Sequence, residues 1–459
     1  MSMQDIRGFV DLLEECGELH RIVTPVDADL EIAAITERCC KLSGGGPALF
    51  FEKVKGFEIP VLTNLFGSIK RMGWALWTDN LDLLAQRIAR DLEKIEERGA
   101  ENGLARLSDT STGLPRLIKE GSCQESVQRE DASFDQIPAL RSWPGDGGRY
   151  LTLPLVFTRE AGTGRGNCGM YRVQLLDERR AAIHWSEQSD GARHFRSWQA
   201  RGRAMPMAIA LGGDLALIYA AGVPLPGGLD EVAFAGYLRQ YPVSMVRCLS
   251  CDFQVPAAAE IVLEGYVHPS ETAIEGPFAN HTGYYVHAAP APVFHLTTLT
   301  SRRRPLYPCT VVGPPPMETA YLAKASERIF LPVLQLDCPE VKDINFPVEG
   351  IYHGAALLCL KAEADGQGCL VLERLRNHWL FKNSRLLAIF NSEVDVQNTA
   401  SAYWHALNSV RTDRDVQIHG SQIVIDATVR QERMPVIADA KVKGLIDERW
   451  SAYGFSTTK

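Results

Sequence analysis

Glu260-Ile-Val-Leu-Glu-Gly-Tyr-Val-His-Pro-Ser-Glu-Thr-Ala-Ile-Glu-Gly-Pro-Phe-Ala-Asn-His-Thr-Gly-Tyr-Tyr-Val286 joins a strand-like run to a dense polar cluster. Residues 260–267 are rich in β-branched side chains, and Pro269 and Ser270 are expected to end that strand. Glu275-Gly-Pro277 then reads as a loop at a sheet edge. Glu275, Asn280, His281, Tyr284 and Tyr285 bring a carboxylate, an amide, an imidazole and two phenols close together in sequence. A plain connector does not need that much proton-handling chemistry, and loops on rigid scaffolds often carry function. A polar turn is the alternative.

Short strands punctuated by Gly and Pro surround this stretch: 151–158, 168–176, 181–185, 207–211, 243–249, 293–299 and 306–312. Their spacing predicts a β-barrel or sandwich over residues 117–313. Gly162-Thr-Gly-Arg-Gly166 joins two such runs and reads as a hairpin, since a phosphate loop would lie between a strand and a helix. Gly212-Gly-Asp214 is a helix start, and an apolar helix follows Asp230.

Before this region, residues 1–116 alternate helix and strand patterns. Ile6, Phe9, Val10, Leu13 and Cys16 share a helical face that Gly17 ends; Leu81, Leu84, Ile88, Leu92 and Ile95 share another, with Gly99 as its expected cap. The polar stretch 100–116 reads as a linker. Gly313-Pro-Pro-Pro316 opens the third region, 314–459, where a helix from Glu318 to Phe330 is expected to bridge domains before strands and helices alternate again. The fold class is therefore multidomain α/β.

Composition bounds the function. The 459 residues are 46% hydrophobic and 23% charged, and 48 basic against 56 acidic residues give a net charge of −8. Nothing in that balance suggests a nucleic-acid or anionic-membrane surface. No apolar run reaches about 18 residues, and Met-Ser-Met-Gln-Asp-Ile lacks a basic segment followed by an apolar one, so a soluble, cytoplasmic protein is expected. Eleven irregularly spaced cysteines suit reduced thiols. Cys248-Leu-Ser-Cys251 has no second pair at zinc-site spacing, and reads as core or strand-end cysteines ahead of a redox or metal role.

Three pieces of the middle region stand out together: Asn167-Cys-Gly-Met-Tyr-Arg172, Asp230-Glu-Val-Ala-Phe-Ala-Gly-Tyr237, and the segment from Glu275 to Asn280. With Asp27–Leu30, Pro60–Gly67, Ala210–Gly212, Val255–Tyr266 and Asp426–Thr428, they resemble the UbiD-type decarboxylases nearly end to end. The resemblance implies an N-terminal α/β domain, a central flavin-reductase-like split β-barrel that holds the cofactor, and a C-terminal α/β domain that dimerises through a long helix, as a homodimer or homohexamer. It implies decarboxylation of an aromatic, heteroaromatic or α,β-unsaturated carboxylic acid, with release of CO2. The cofactor would be prenylated FMN, supplied by a flavin prenyltransferase, together with Mn2+ or Mg2+ and K+.

By position, Arg172 and Glu275 match the family's arginine and first carboxylate. Met170, Tyr171, Arg172, Ile183, His184, Trp185, Gln188 and Ser189 fall on its flavin-contact stretches. Asn167 and Glu231 match two oxygen ligands of the metal, which suits a hard cation.

Two departures follow. Gln188 stands where the family has a histidine ligand, and Asn280 where it has an acidic proton donor. An amide does not titrate in the useful range, so the proton that replaces CO2 must come from Glu275, His281, His353 or water; otherwise the chain is a cofactor-binding paralogue with lost or altered activity. The substrate pocket is expected to draw on residues 312–318 and 349–354.

Overall fold

The computed structural model describes residues 5–455, apart from 96–98, 111, 352, 429–435 and 437. The first helix, Ile6–Glu15, is capped by Asp5, whose carboxylate accepts from the Arg7 and Gly8 amides, and it buries Ile6, Phe9, Val10 and Leu13 on one stripe. It leads to a four-stranded sheet in the order Leu19–Ile22, Ala48–Phe51, Val61–Thr63, Tyr307–Pro308. The last strand lies far along the chain, so the expected run 306–312 is short and extends the N-terminal sheet. Helix Leu81–Glu93 follows its predicted face but ends at Lys94. Gly99 instead begins the next helix, Ala100–Ser108, whose Leu104 and Leu107 are buried in the core. The expected linker is thus structural, because two leucines three apart give a short helix enough apolar surface to dock.

The central sheet has nine strands, all paired antiparallel. Its middle is the long pair Ile261–Glu275 and Ala289–Ser301. Pro269 and Ser270 do not end the first of these. Val267 faces Phe294 and Thr272 faces Pro292, so five steps on one strand match two on the other. Pro269 sits in that bulge, where its missing N–H costs no ladder bond, and the strand resumes as far as Glu275. Glu275 therefore closes a strand rather than lying in a loop. Pro154–Arg159 and Gly166–Met170 form the expected hairpin around Gly162–Gly166. Asp214 caps helix Leu215–Gly222, and Asp230 caps Glu231–Arg239 by accepting from the Val232 and Ala233 amides.

Helix Thr319–Asp337 runs past its expected end at Phe330. Phe330 stacks on Phe234 of the central domain at 6.3 Å and meets the edge of Trp379 at 5.2 Å. One ring thus joins both neighbours, and a single apolar cluster extends from Ile6 and Phe9 through Phe234 to Leu387 and Val424. The C-terminal sheet is ordered Val341–Asn345, Ala355–Leu360, Leu386–Phe390, Gln422–Ala427, Val416–His419; its inner pairings are parallel and both edges antiparallel. Helix Ala440–Arg449 buries no residue against the chain. Among the described residues, no helix is long and apolar enough to cross a membrane.

Candidate functional site

Arg172 lies in the two-residue gap between strands Gly166–Met170 and Val173–Leu175, where the chain leaves the ladder and its side chain can turn inward. Glu275 ends its strand nearby. Arg172 Nε donates to Glu275 Oε1 at 2.8 Å and Arg172 Nη2 to Oε2 at 2.9 Å, a bidentate fork. Glu275 is 1% exposed. Burial alone would raise its carboxyl, but hydrogen bonds from His184 and Arg172, with their charges, outweigh it and hold the group down at about 2. It is ionised at neutral pH.

His184 Nδ1 is 3.0 Å from Arg172 Nη2 and 3.2 Å from Glu275 Oε2. These contacts are alternatives. Nδ1 either accepts from the guanidinium or, carrying a proton, donates to the carboxylate. The guanidinium also lies over the Phe278 ring, 4.6 Å from its centroid.

A brace that sequence reasoning missed fixes this pair. Trp143-Pro-Gly-Asp-Gly-Gly148 wraps the segment after Glu275. The Asp146 carboxylate accepts from the Ala279, Trp143 and Ser142 amides, and the Gly147 amide donates to the Pro277 carbonyl. A Cβ on Gly147 would lie 2.1 Å from the Gly276 carbonyl oxygen, so only glycine permits the approach. Gln174 Oε1 accepts from the Gly276 amide at 2.7 Å and from the Tyr150 hydroxyl at 3.1 Å. The glycine-rich turn itself was the available signal.

Asn280 is not joined to Arg172 or Glu275 by a hydrogen bond among the described residues. Its Oδ1 accepts from the Thr282 amide at 2.9 Å and from the Thr282 hydroxyl at 2.5 Å, which closes the turn between strands Phe278–Ala279 and Tyr285–Val286. Thr282 and His281 then line a cavity of about 650 Å3, with Gly222, His353, Arg385 and Tyr403 on other walls. Residues 349–351, 353 and 354, from the second segment expected to line the substrate pocket, also line this cavity. Residues 312–318 do not: Val312 packs with Tyr150 and Phe278, and the Glu318 carboxylate accepts from the Phe66 amide. Burial pulls His281 down to about 4 and His353 to about 3, so both imidazoles are neutral at neutral pH.

Asn167 and Glu231 share a second cavity, of about 210 Å3, with Asp230 and Cys168. The Cys168 amide donates to Glu231 Oε2 at 3.0 Å, and desolvation pushes the Glu231 carboxyl up to about 8. Gln188 does not line this cavity; it lies exposed on the turn 186–189, where Ser189 caps helix Asp190–Gln199.

Of the flavin-contact candidates, Ile183 is fully buried in the sheet core, whereas Met170 reaches the Gly222 wall of the larger cavity. The Tyr171 hydroxyl accepts from the Gly191 amide, and its ring meets Trp185 edge-on. Trp185 Nε1 is buried without a hydrogen-bond partner among the described residues.

Residues 10–90, 116–315 and 320–437 match, in turn, the N-terminal domain, the Rift-related domain and the C-terminal domain of 3-octaprenyl-4-hydroxybenzoate carboxy-lyase. An uncharacterised protein of Archaeoglobus fulgidus is 39% identical over 421 residues, 91% of this chain and 86% of its own. One of Aquifex aeolicus is 37% identical over 487 residues, covering 98% and 99%. Among solved structures, an evolved dimeric form of the UbiD-class enzyme HmfF from Pelotomaculum thermopropionicum, in complex with prFMN, superposes with a TM-score of 0.82 at 25% identity, covering 96% of this chain and 98% of that one. Vanillic acid decarboxylase of Sedimentibacter hydroxybenzoicus superposes at 0.84 with 24% identity, covering 99% and 100%. With all three family domains matched in order and relatives similar along nearly the whole chain, this protein belongs to the UbiD family.

Proposed function

We propose that the chain is a reversible, non-oxidative decarboxylase of an aromatic, heteroaromatic or α,β-unsaturated carboxylic acid, working with prenylated FMN. The observation that carries this reading is the buried Arg172–Glu275 fork beside His184. Loss of CO2 from an sp2 carbon leaves an electron pair that no amino-acid side chain can delocalise; prenylated FMN, when bound, supplies that electron sink.

The residues present fit such a group. Asn167 and Glu231 offer oxygen donors in one small cavity, and a divalent cation, Mn2+ or Mg2+, would discharge the desolvated Glu231 carboxyl while holding the cofactor phosphate. The buried Trp185 N–H, unpartnered among the described residues, is a spare donor on the stretch that the family resemblance assigns to the flavin.

The remaining work falls to the chain's own groups. Ionised Glu275 neutralises Arg172 and fixes its plane. Arg172 Nη1, outside the fork, is the edge that meets a substrate carboxylate. The cavity beside His281 and Thr282 takes the body of the acid. With Asn280 an amide and Glu275 ionised, the proton that replaces CO2 passes from water through neutral His281. That imidazole accepts a proton on one nitrogen as it releases one from the other. The exposed face around Val442, Leu445 and Ile446 supports assembly into homodimers or homohexamers.

The test is coexpression with a flavin prenyltransferase, followed by assay of CO2 release from a panel of acids. Turnover of at least one unsaturated or aromatic acid is expected. A flavin-loaded protein that releases no CO2 from any of them would instead be a non-catalytic paralogue.

A further inference from the structure

Far from the Arg172 fork, the hairpin linking Ser244–Arg247 to Gln254–Pro256 carries the Cys248-Leu-Ser-Cys251 turn. The turn is tight: the Cys248 amide donates to the Phe253 carbonyl, and the Phe253 amide to the Cys251 carbonyl, each at 2.9 Å. Glu264 approaches it from the central strand Ile261–Glu275. One ligand atom from each of Cys248, Cys251 and Glu264 lies within 4.8 Å of the others, and Cys251 Sγ is 3.9 Å from Glu264 Oε2.

Glu264 is 1% exposed, and among the described residues its hydrogen-bond partners are all neutral: the Leu249 and Ser250 amides, the Ser250 hydroxyl and the Cys251 thiol. A buried carboxylate is ordinarily paired with a cation or bound to a metal. Zn2+ bonds sulfur at about 2.3 Å and carboxylate oxygen at about 2.0–2.2 Å, so the S···O edge of its tetrahedron is about 3.6 Å. The observed 3.9 Å requires a shift of only a few tenths. Both cysteines are free and half-buried, so the cluster is within reach of solvent.

We propose that Cys248, Cys251 and Glu264 form a zinc-binding site, sharing no ligand with the Asn167–Glu231 cavity. Thiolate sulfur selects Zn2+ over the hard cations that suit the latter. Binding displaces one proton from each thiol and changes no oxidation state. A bound ion would tie the hairpin to the central strand. Phe253 and Gln254 of that hairpin also line the Asn167–Glu231 cavity, so the ion would stiffen one of its walls.

The test uses the reduced, chelator-stripped full chain titrated with Co2+. A thiolate-to-cobalt charge-transfer band saturating at one equivalent, and displaced by Zn2+, is expected. Oxygen ligands alone give no such band. Cys251→Ser and Cys248→Ser should each abolish it with circular dichroism unchanged. Glu264→Gln, which keeps both thiols, should weaken Co2+ binding at least about tenfold. Absence of the band in the wild type would overturn the proposal, as would its persistence in both serine variants. A Cys248–Cys251 disulfide forming in air, seen as a two-hydrogen mass loss with no metal retained, would also overturn it.

Discussion

Glu275→Gln isolates the charge of the Arg172 fork while keeping its shape. In the variant, one amide oxygen still faces Arg172 Nε, but the amide NH2 meets the Nη2 donor, and the guanidinium loses its counter-charge. Two routes give the cost. The Glu275 carboxyl falls from 4.5 to about 2 on folding; at roughly 1.36 kcal/mol per unit this is about 3 kcal/mol. Removing one partner of a buried pair typically costs about 3–5 kcal/mol, and side-chain exposures of 13% and 2% leave little room for solvent screening. Because folding lowers this pKa, the contribution is fully present above the unfolded value and fades as pH falls through 4.5 toward about 2. The stability difference between wild type and Glu275→Gln should therefore be about 3 kcal/mol near neutral pH and shrink steadily below about pH 5. Urea unfolding followed by tryptophan fluorescence at a series of pH values measures it. A difference below about 1 kcal/mol at neutral pH, or one of constant size down to about pH 3, would refute an ionised, fork-bound Glu275.

Glu231→Ala should strip both metal and flavin, read by elemental analysis and visible absorbance; full flavin retention would rule out the proposed anchor. Because desolvation raises Glu231 to about 8, cation uptake at neutral pH should release close to one proton and weaken as pH falls, which calorimetry in buffers of different ionisation enthalpy detects. Arg172→Ala should stay soluble and flavin-loaded yet lose turnover, whereas wild-type kinetics would contradict its role. His281→Asn should keep the flavin and slow solvent deuterium incorporation into product; an unchanged rate would exclude His281 as the proton path. Asn280→Asp should fold normally, because Oδ1 still accepts from Thr282. It should gain activity most on cinnamate-like acids, since wild type is expected to favour electron-rich heteroaromatic acids whose ring carbon is easily protonated.

Much of the architecture was legible locally. The stripe Ile6, Phe9, Val10, Leu13, the caps Asp214 and Asp230, and the hairpin at Gly162–Gly166 all follow from spacing and turn chemistry within a few residues. The misreadings share one cause. Pro269 reads locally as a strand end because a proline cannot donate to a ladder, yet the partner strand tolerates a bulge there, which only pairing with Val293–Phe294 reveals. Gly99 reads locally as the end of one helix, although it begins the next.

For the site, sequence supplied the residue types and their order, and the family resemblance singled out Arg172, Glu275, Asn167 and Glu231. Tertiary structure decided what those groups are. Arg172 and Glu275 stand 103 positions apart and meet through the order of the central sheet. Glu275 is ionised because the fork outweighs its burial, His281 is neutral because burial pulls its imidazole down, and Asn280 spends its oxygen on Thr282. Glu264, an ordinary strand residue in sequence, becomes a candidate ligand only where the hairpin brings Cys248 and Cys251 against it. Periodicity and caps are properties of neighbours along the chain, whereas desolvation, charge and ligand geometry depend on neighbours in space, and those are chosen by strand pairing.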